Sequence, residues 1–244
     1  MLICEGLLIP DIPVLFGIFV YVLKISKFHG INVANMYFGT NISIFDQFKQ
    51  PMKDLILVGG GGHCKSVIDV IDAGQEFNIV GILDMPDKLG QKILQYEVIG
   101  SDADIEKLSQ TVRYFFISVG QIDTGNLRMN LYRMLQKMSV NIPTILSPFS
   151  YVAPSAVIGE GSIVMHQAMV NAGSKIGNNC IINSKALIEH DVSIGDHCHI
   201  STGSILNGGV IVKDHSFIGS NAVCVQNTVV PENHFMKAST LYKG

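Results

Sequence analysis

Residues 182–200 read INSKALIEHDVSIGDHCHI. Ile182, Ile188, Ile194 and Ile200 recur every six residues, and four places after the first three stand Ala186, Val192 and Cys198. Extending the six-residue step in both directions gives Leu146, Val152, Ile158, Val164, Val170, Ile176, then Leu206, Val212 and Ile218. The second register extends as Ser150, Ala156, Ser162, Ala168, Ser174 and Cys180, then Ser204, Val210, Ser216 and Ala222. A period of six fits neither an α-helix nor a hairpin series. It fits a parallel β-helix of hexapeptide repeats, three to a coil. The aliphatic residue fills the prism interior, the slim residue sits near a corner, and successive coils pair as strands ~4.8 Å apart. The register slips at Cys224, returns at Val230 and is expected to end at Met236 with Thr240.

The repeat also explains an unusual composition. Only 15% of the 244 residues are charged while 48% are hydrophobic, against roughly 25% charged in ordinary soluble domains. Residues 152–235 carry 9 charges in 84 positions, because aliphatic, slim, glycine and asparagine residues occupy most of each hexapeptide. A net charge of −3 argues against a nucleic-acid binder. The cysteines at 4, 64, 180, 198 and 224 form no CxxC pair, which suits a reducing, cytoplasmic setting. Cys180 and Cys198 are one coil apart and should stack as buried thiols, although a disulfide between them is geometrically conceivable.

Upstream of the repeat, residues 52–146 read as alternating strands and helices. Leu55–Val58 is an unbroken apolar run, as in a buried parallel strand. Gly59–Gly62 and His63 follow, then a helical pattern from Ser66 to Ala73. Further strands are expected at Asn78–Asp84, Tyr114–Val119 and Ile142–Leu146, with Val98–Gly100 ending a turn. Helices are expected at Asp102–Leu108 and Asn126–Met138. This alternation predicts a small doubly wound α/β domain, whose ligands bind beyond the carboxyl ends of the strands. Glycines at such a strand–helix turn let backbone N–H groups approach a phosphate. The dinucleotide fingerprint would need glycine at position 64, where Cys64 stands. A nucleotide or nucleotide sugar is therefore favoured over NAD.

With both motifs taken together, the sequence resembles the NeuD/PglD family of sugar acetyltransferases, which act in bacterial surface-glycan pathways. The resemblance rests on LILVGGGGHCKSVIDVI at 55–71 together with IEHDVSIGDHCHISTG at 188–203, and it covers residues 52–240. It implies a Rossmann-like nucleotide-sugar-binding domain over 52–146 and a left-handed β-helix acyltransferase domain over 147–241, assembled as a homotrimer. It implies acetyl-CoA as co-substrate, in a groove between two β-helices. His190 falls at the position of the catalytic base, with Asp191 orienting its ring; a base near neutral pH suits proton removal from an attacking amine or hydroxyl. Gly61, Gly62, His63, Asp84 and Gly120 fall at nucleotide-sugar positions, and His199, Ser220 and Ala238 at CoA positions. Arg128 matches an arginine that binds phosphate or supports its loop. Two departures stand out: Met85 follows Asp84 where the family often has a second acid, and no G-x-P-A tail follows the repeat. Hexapeptide carbonic anhydrases share the architecture and hold zinc with a close H-x4-H pair. Here His190, His197 and His199 are spaced seven and two, and no metal is expected. N-acetylation of a UDP-linked 4-amino sugar is the leading expectation. O-acetylation of a sialic-acid-like sugar and a non-catalytic nucleotide-sugar-binding scaffold are the alternatives.

Residues 1–51 fall outside this resemblance. Ile12–Leu23 is nearly all apolar but shorter than the ~20 residues that span a bilayer. Three readings stand: a membrane-associating helix, an extra packed element, or sequence upstream of the true start.

Overall fold

The computed structural model describes residues 51–122 and 125–244. The expectations for residues 1–51, Cys4 included, lie outside the described residues save for Pro51. Among the described residues no helix is long and apolar enough to cross a membrane.

The α/β part opens with β1 (Lys53–Val58), α1 (Gly62–Gly74) and β2 (Phe77–Leu83). β3 (Lys92–Ile93), β4 (Tyr96–Gly100), α2 (Ile105–Leu108), β5 (Tyr114–Ile117) and α3 (Asn126–Lys137) follow. The sheet order is β3-β4-β2-β1-β5. It is parallel except for the β3–β4 hairpin. Leu55 to Val58 are fully buried, as their apolar run predicts.

Three expectations are corrected here. Val98–Gly100 does not end a turn but belongs to β4, which pairs with β2; its alternating burial was hidden in a run of only five residues. Asp102–Leu108 divides into a 3-10 turn at Asp102–Asp104 and the single-turn α2. Ile142–Leu146 adds no strand to the α/β sheet. Asn141 makes one bridge to Tyr114, and Pro143, lacking an N–H, cannot continue a ladder. Ile145–Leu146 instead pairs with Ile163–Val164 as the first rung of the coil.

From that rung the chain winds as a left-handed parallel β-helix with three flat sheets. The first sheet stacks rungs from Tyr151–Val152 to Leu241–Tyr242, the second from Val157–Ile158 to Val229–Val230, and the third from Ile145–Leu146 to Phe235–Met236. Each rung pairs in register with the residues eighteen places on. The repeating aliphatics fill the prism interior. The expected slip at Cys224 does not occur: Cys224 is fully buried, in register between Leu206 and Tyr242. A thiol packs there as a small apolar group. The coil also runs past Met236 to Tyr242.

A third register governs the corners. From Gly161 to Ser239 every sixth residue has positive φ, through Gln167, Gly173, Asn179, Lys185, Asp191, His197, Gly203, Gly209, His215, Asn221, Asn227 and Asn233. Left-handed backbone favours Gly, Asn, Asp and His. That preference explains the turn composition, and it gives Asp191 a backbone role beside any chemical one.

Cys180 and Cys198 are free thiols, stacked as expected. The Cys198 N–H donates to Cys180 Sγ at 3.4 Å, and the Cys198 thiol donates to the Lys213 carbonyl at 3.2 Å. The side-chain contact of the two thiols, and then burial, push the Cys198 thiol far up.

The two parts share a core. Ile145, Ile163 and Ile181, on the outer face of the third sheet, pack in one cluster with Val67, Ile71 and Leu57 of the α/β part. Residues 52–244 form one compact unit.

Candidate active site

The glycine run after β1 divides in two. A Cβ on Gly59, whose φ is +104°, would lie 2.2 Å from Val119 Cγ2, and one on Gly60 would lie 2.5 Å from Asp84 Oδ2. Gly61 and Gly62 face open space. Gly61 caps α1 with extended backbone and no side-chain hydrogen bond. The first pair is therefore required by packing, and the second leaves the start of α1 accessible.

Asp84 stands at the end of β2. Its Oδ1 accepts the Met85 N–H at 2.8 Å and its Oδ2 accepts from Lys88 Nζ at 2.8 Å. It lines a cavity of about 340 Å³ with Gly59, Asp102, Val119, Leu127 and Leu131 among its walls. The cavity lies beyond the carboxyl ends of β1, β2, β4 and β5, where open α/β sheets bind ligands. Gly61, Gly62, His63 and Gly120 do not line it.

His63 and Gly120 meet at the seam with the β-helix. A Cβ on Gly120 would come within 3.2 Å of His63 Cβ. His63 Nε2 is buried without a hydrogen-bond partner. Burial first, then Arg128 and His199, push the His63 imidazole down to about 3. His199 is 5% exposed. Its Nδ1 bonds the Gln121 carbonyl, and its Nε2 accepts from Asn183 Nδ2 at 3.0 Å. Both ring nitrogens are thus engaged, and burial pushes this imidazole down to about 4. Gln121 also donates through Nε2 to the His197 carbonyl at 3.1 Å. The loop after β5 is thereby tied to the third sheet at two points. Asp123 and Thr124 in that loop lie outside the described residues.

These two histidines set a pH dependence. Unfolded imidazoles titrate near 6.5. With both folded values below that, their contribution to stability is complete above about pH 6.5. It is lost as pH falls toward about 4 for His199 and about 3 for His63. Each contributes a slope of up to ~1.4 kcal/mol per pH unit. Urea midpoints measured from pH 7 to 5 should fall accordingly, and His199→Gln should flatten the fall.

Arg128 resolves to loop support. It is 1% exposed. Its guanidinium donates to the carbonyls of Ile117 at 2.5 Å, Val119 at 2.9 Å, Gly161 at 3.1 Å and Asn179 at 3.4 Å. It joins α3, the end of β5 and two coils of the β-helix, with no outlet to a phosphate.

His190 lies elsewhere, at the corner between the first and second sheets. Its Nδ1 is 2.9 Å from Asp191 Oδ2, with the imidazole 59% exposed. One coil further on, a Cβ at Gly208 would come within 2.7 Å of His190 Cε1 and Nε2. Gly208 therefore makes the recess in which the ring lies. One coil earlier, a Cβ at Gly173 would meet Asp191 Oδ1 at 2.6 Å. Glu189 accepts from Asn171 Nδ2 at 2.9 Å on the same edge.

Ser220 and Ala238 stack one coil apart at a different corner, between the third and first sheets. Ser220 Oγ is 2.9 Å from Ser201 Oγ, and the Ser220 carbonyl accepts the Ser239 N–H at 2.8 Å. Ala238 is exposed. The structure therefore does not unite the expected residues in one protomer. The whole first sheet separates His190 from Ser220 and Ala238, and the prism separates it from His199. The outer column of that sheet, Tyr151, Met169, Leu187, Ile205, Val223 and Leu241, carries no charge and is apolar save for the Tyr151 hydroxyl.

Gly208, Asn183 and Gln121 escaped the sequence reading. Adding one coil length to His190 would have found Gly208; nothing local marks the other two. Among the described residues no group of three or more His, Cys, Asp or Glu side chains is placed to hold a metal ion.

Comparison with known proteins gives the same two-part pattern. Residues 54–135 match the PglD N-terminal domain, and residues 155–190 and 173–208 match the bacterial transferase hexapeptide (six repeats). UDP-N-acetylbacillosamine N-acetyltransferase of Bacillus subtilis is 30% identical over 116 residues, 47% of this chain and 52% of that protein. The match thus spans about half the length of that curated relative. Among solved structures, the acetyltransferase domain of PglB from Neisseria gonorrhoeae, in complex with acetyl coenzyme A, is 28% identical with a TM-score of 0.74. That match covers 79% of this chain and 92% of the other. A variant of perosamine N-acetyltransferase from Caulobacter crescentus, in complex with CoA and GDP-perosamine, is 27% identical with a TM-score of 0.57. It covers 76% of this chain and 91% of the other.

Proposed function

We propose, from the membership of this chain in the NeuD/PglD family of sugar acetyltransferases, that it transfers the acetyl group of acetyl-CoA to the amine of a nucleotide-linked amino sugar. The observation that carries the reading is the His190–Asp191 pair, exposed at a corner and seated in the recess left by Gly208. Residues 52–146 hold the nucleotide sugar and residues 147–241 carry the transfer. The named relatives support N- over O-acetylation, and their names include both uridine- and guanosine-linked sugars.

With Nδ1 held by Asp191, His190 Nε2 is the atom open to a substrate. It accepts a proton from the amine as the nitrogen attacks the thioester carbonyl. The C–S bond then breaks, and the same proton passes to the leaving CoA sulfur. Acetyl-CoA supplies the acyl group, and Ser220 and Ala238 lie along its path; His199, which the resemblance also assigns to CoA, is buried with both ring nitrogens engaged and supports the loop after β5. Because His190 and these residues occupy different corners, the working site forms between two copies. The apolar outer column of the first sheet supports such an interface, in a homotrimer. The neighbour's His190 then faces this chain's Ser220 and Ala238.

Thiol release from acetyl-CoA tests the reading, against UDP- and GDP-linked 4-amino sugars and against free and CMP-linked nonulosonic acids. Turnover only with the nonulosonic acids would replace N- by O-acetylation. No turnover with binding retained would leave a scaffold that acts in glycan synthesis without chemistry.

Gly208→Ala provides a finer check. The added methyl would lie within 2.7 Å of the His190 ring, while φ at 208 requires no glycine. The ring must swing out. Since a small misplacement of a reacting group can cost ~100-fold, kcat should fall about 10- to 100-fold with melting temperature nearly unchanged. An unaltered kcat would show that His190 does not act from this recess.

A further inference from the structure

We propose that Asp102 is a second acidic reader in the nucleoside cavity and that it selects guanine, making the acceptor a GDP-linked amino sugar. The inference rests on the nucleotide-sugar reading above and specifies its base. Leu83, Val119, Leu127 and Leu131 give the cavity apolar walls that suit a flat ring. Its two acidic side chains are Asp84, from the end of β2, and Asp102, just beyond β4.

The two acids are not equivalent. Asp84 is already engaged on both oxygens, by the Met85 N–H and by Lys88. The neighbouring Asp104 is also engaged, closing a capping box with Ser101. No described group donates to Asp102. Asp102 is exposed along this cavity, so its two oxygens are open to donors on a ligand; partial burial and the nearby Asp84 charge hold its carboxyl above the usual range. Met85, at the position where the resemblance expects a second acid, lines the same cavity, but its thioether supplies no carboxylate. Asp102 brings an acid to the same cavity from a different strand end.

A carboxylate offers two acceptor oxygens and no donor when ionised. Guanine presents N1–H and the 2-amino group side by side and satisfies both oxygens at once, in the paired geometry that strengthens such contacts. Uracil presents a single ring N–H flanked by two carbonyls, which a carboxylate repels. A bidentate match of this kind discriminates by about 10- to 100-fold. A relative solved with GDP-perosamine has the same architecture.

The test is calorimetric titration of the full chain with GDP, IDP and UDP, for wild type and Asp102→Ala. IDP keeps the guanine frame but lacks the 2-amino group. Wild type should bind GDP about 10- to 100-fold tighter than UDP, with IDP between them. Asp102→Ala should bring GDP to the UDP level and leave UDP within about twofold, with the melting temperature checked in parallel. UDP binding as tight as GDP, or equal weakening of both by the substitution, would overturn the inference and leave the acetyltransferase reading intact. Binding of none of the three would overturn the nucleotide-sugar reading together with it.

Discussion

His190→Ala should lower kcat for acetyl transfer about 10²- to 10⁴-fold, the range a positioned general base supplies. The expectation is specific because the residue is exposed and bears no load in the fold. Its backbone carbonyl accepts the Gly209 N–H, a bond the substitution leaves in place. Melting temperature and acetyl-CoA affinity should therefore be nearly unchanged, and a normal rate would remove His190 from the chemistry. The two-corner geometry adds a second arm. Ala238→Trp should block the donor groove from the other side and should also inactivate. Mixed oligomers of the two variants contain interfaces where an intact His190 meets an intact Ala238 corner. Part of the activity should return on mixing after reversible dissociation. If both residues acted within one protomer, no mixture would recover any.

The repeat alone places His190 and Ala238 at different corners but says nothing of what covers them, and the reason is physical. The period of six fixes which side chains point into the prism, because interior packing admits only aliphatic and slim residues at those places. It is therefore legible from Leu146 to Ile218 without a gap. Cys224 looked like a break only because the reading required an aliphatic; the interior asks for an apolar group of about that size, and a thiol qualifies. The left-handed corner residues were harder to see, since Lys185, Gln167 and Ser239 occupy places that Gly or Asn would mark. Outward residues obey no such packing rule. Their roles depend on what covers them, so Gln121 against His199 and Arg128 against Gly161 are contacts between distant segments that no local pattern announces. The short strand β4 and the displaced strand at Ile145 were misjudged for the same reason: two- to five-residue segments are placed by their partners. Among the site residues, Asp84 was legible because it ends an apolar strand. Asp102 was not, because its approach to Asp84 follows from the pairing of β4 with β2.

Arg128→Met should produce the largest loss of stability of any single substitution considered. The methionine replaces a guanidinium that is 1% exposed and donates to four backbone carbonyls. Each carbonyl left without a donor in the interior costs ~1–3 kcal/mol. Against that stands the relief of no longer burying a cation, whose pKa is pushed down to about 10 by that burial. The carbonyls outnumber the charge, and they belong to β5, its following loop and two coils, so one relaxation cannot satisfy them all. A net loss of ~3–5 kcal/mol follows from four such carbonyls less that relief. For a unit of this size that is roughly 10 °C in melting temperature. Arg128→Lys should recover little, because a single ammonium cannot reproduce the fork that reaches Ile117 and Gly161 together. The functional consequence separates this residue from a phosphate ligand. Val119, one of the four acceptors, also lines the cavity proposed to take the nucleoside, so nucleotide affinity should weaken alongside stability and in proportion to it. A variant that folds with the wild-type melting temperature but loses nucleotide affinity would instead make Arg128 a direct ligand.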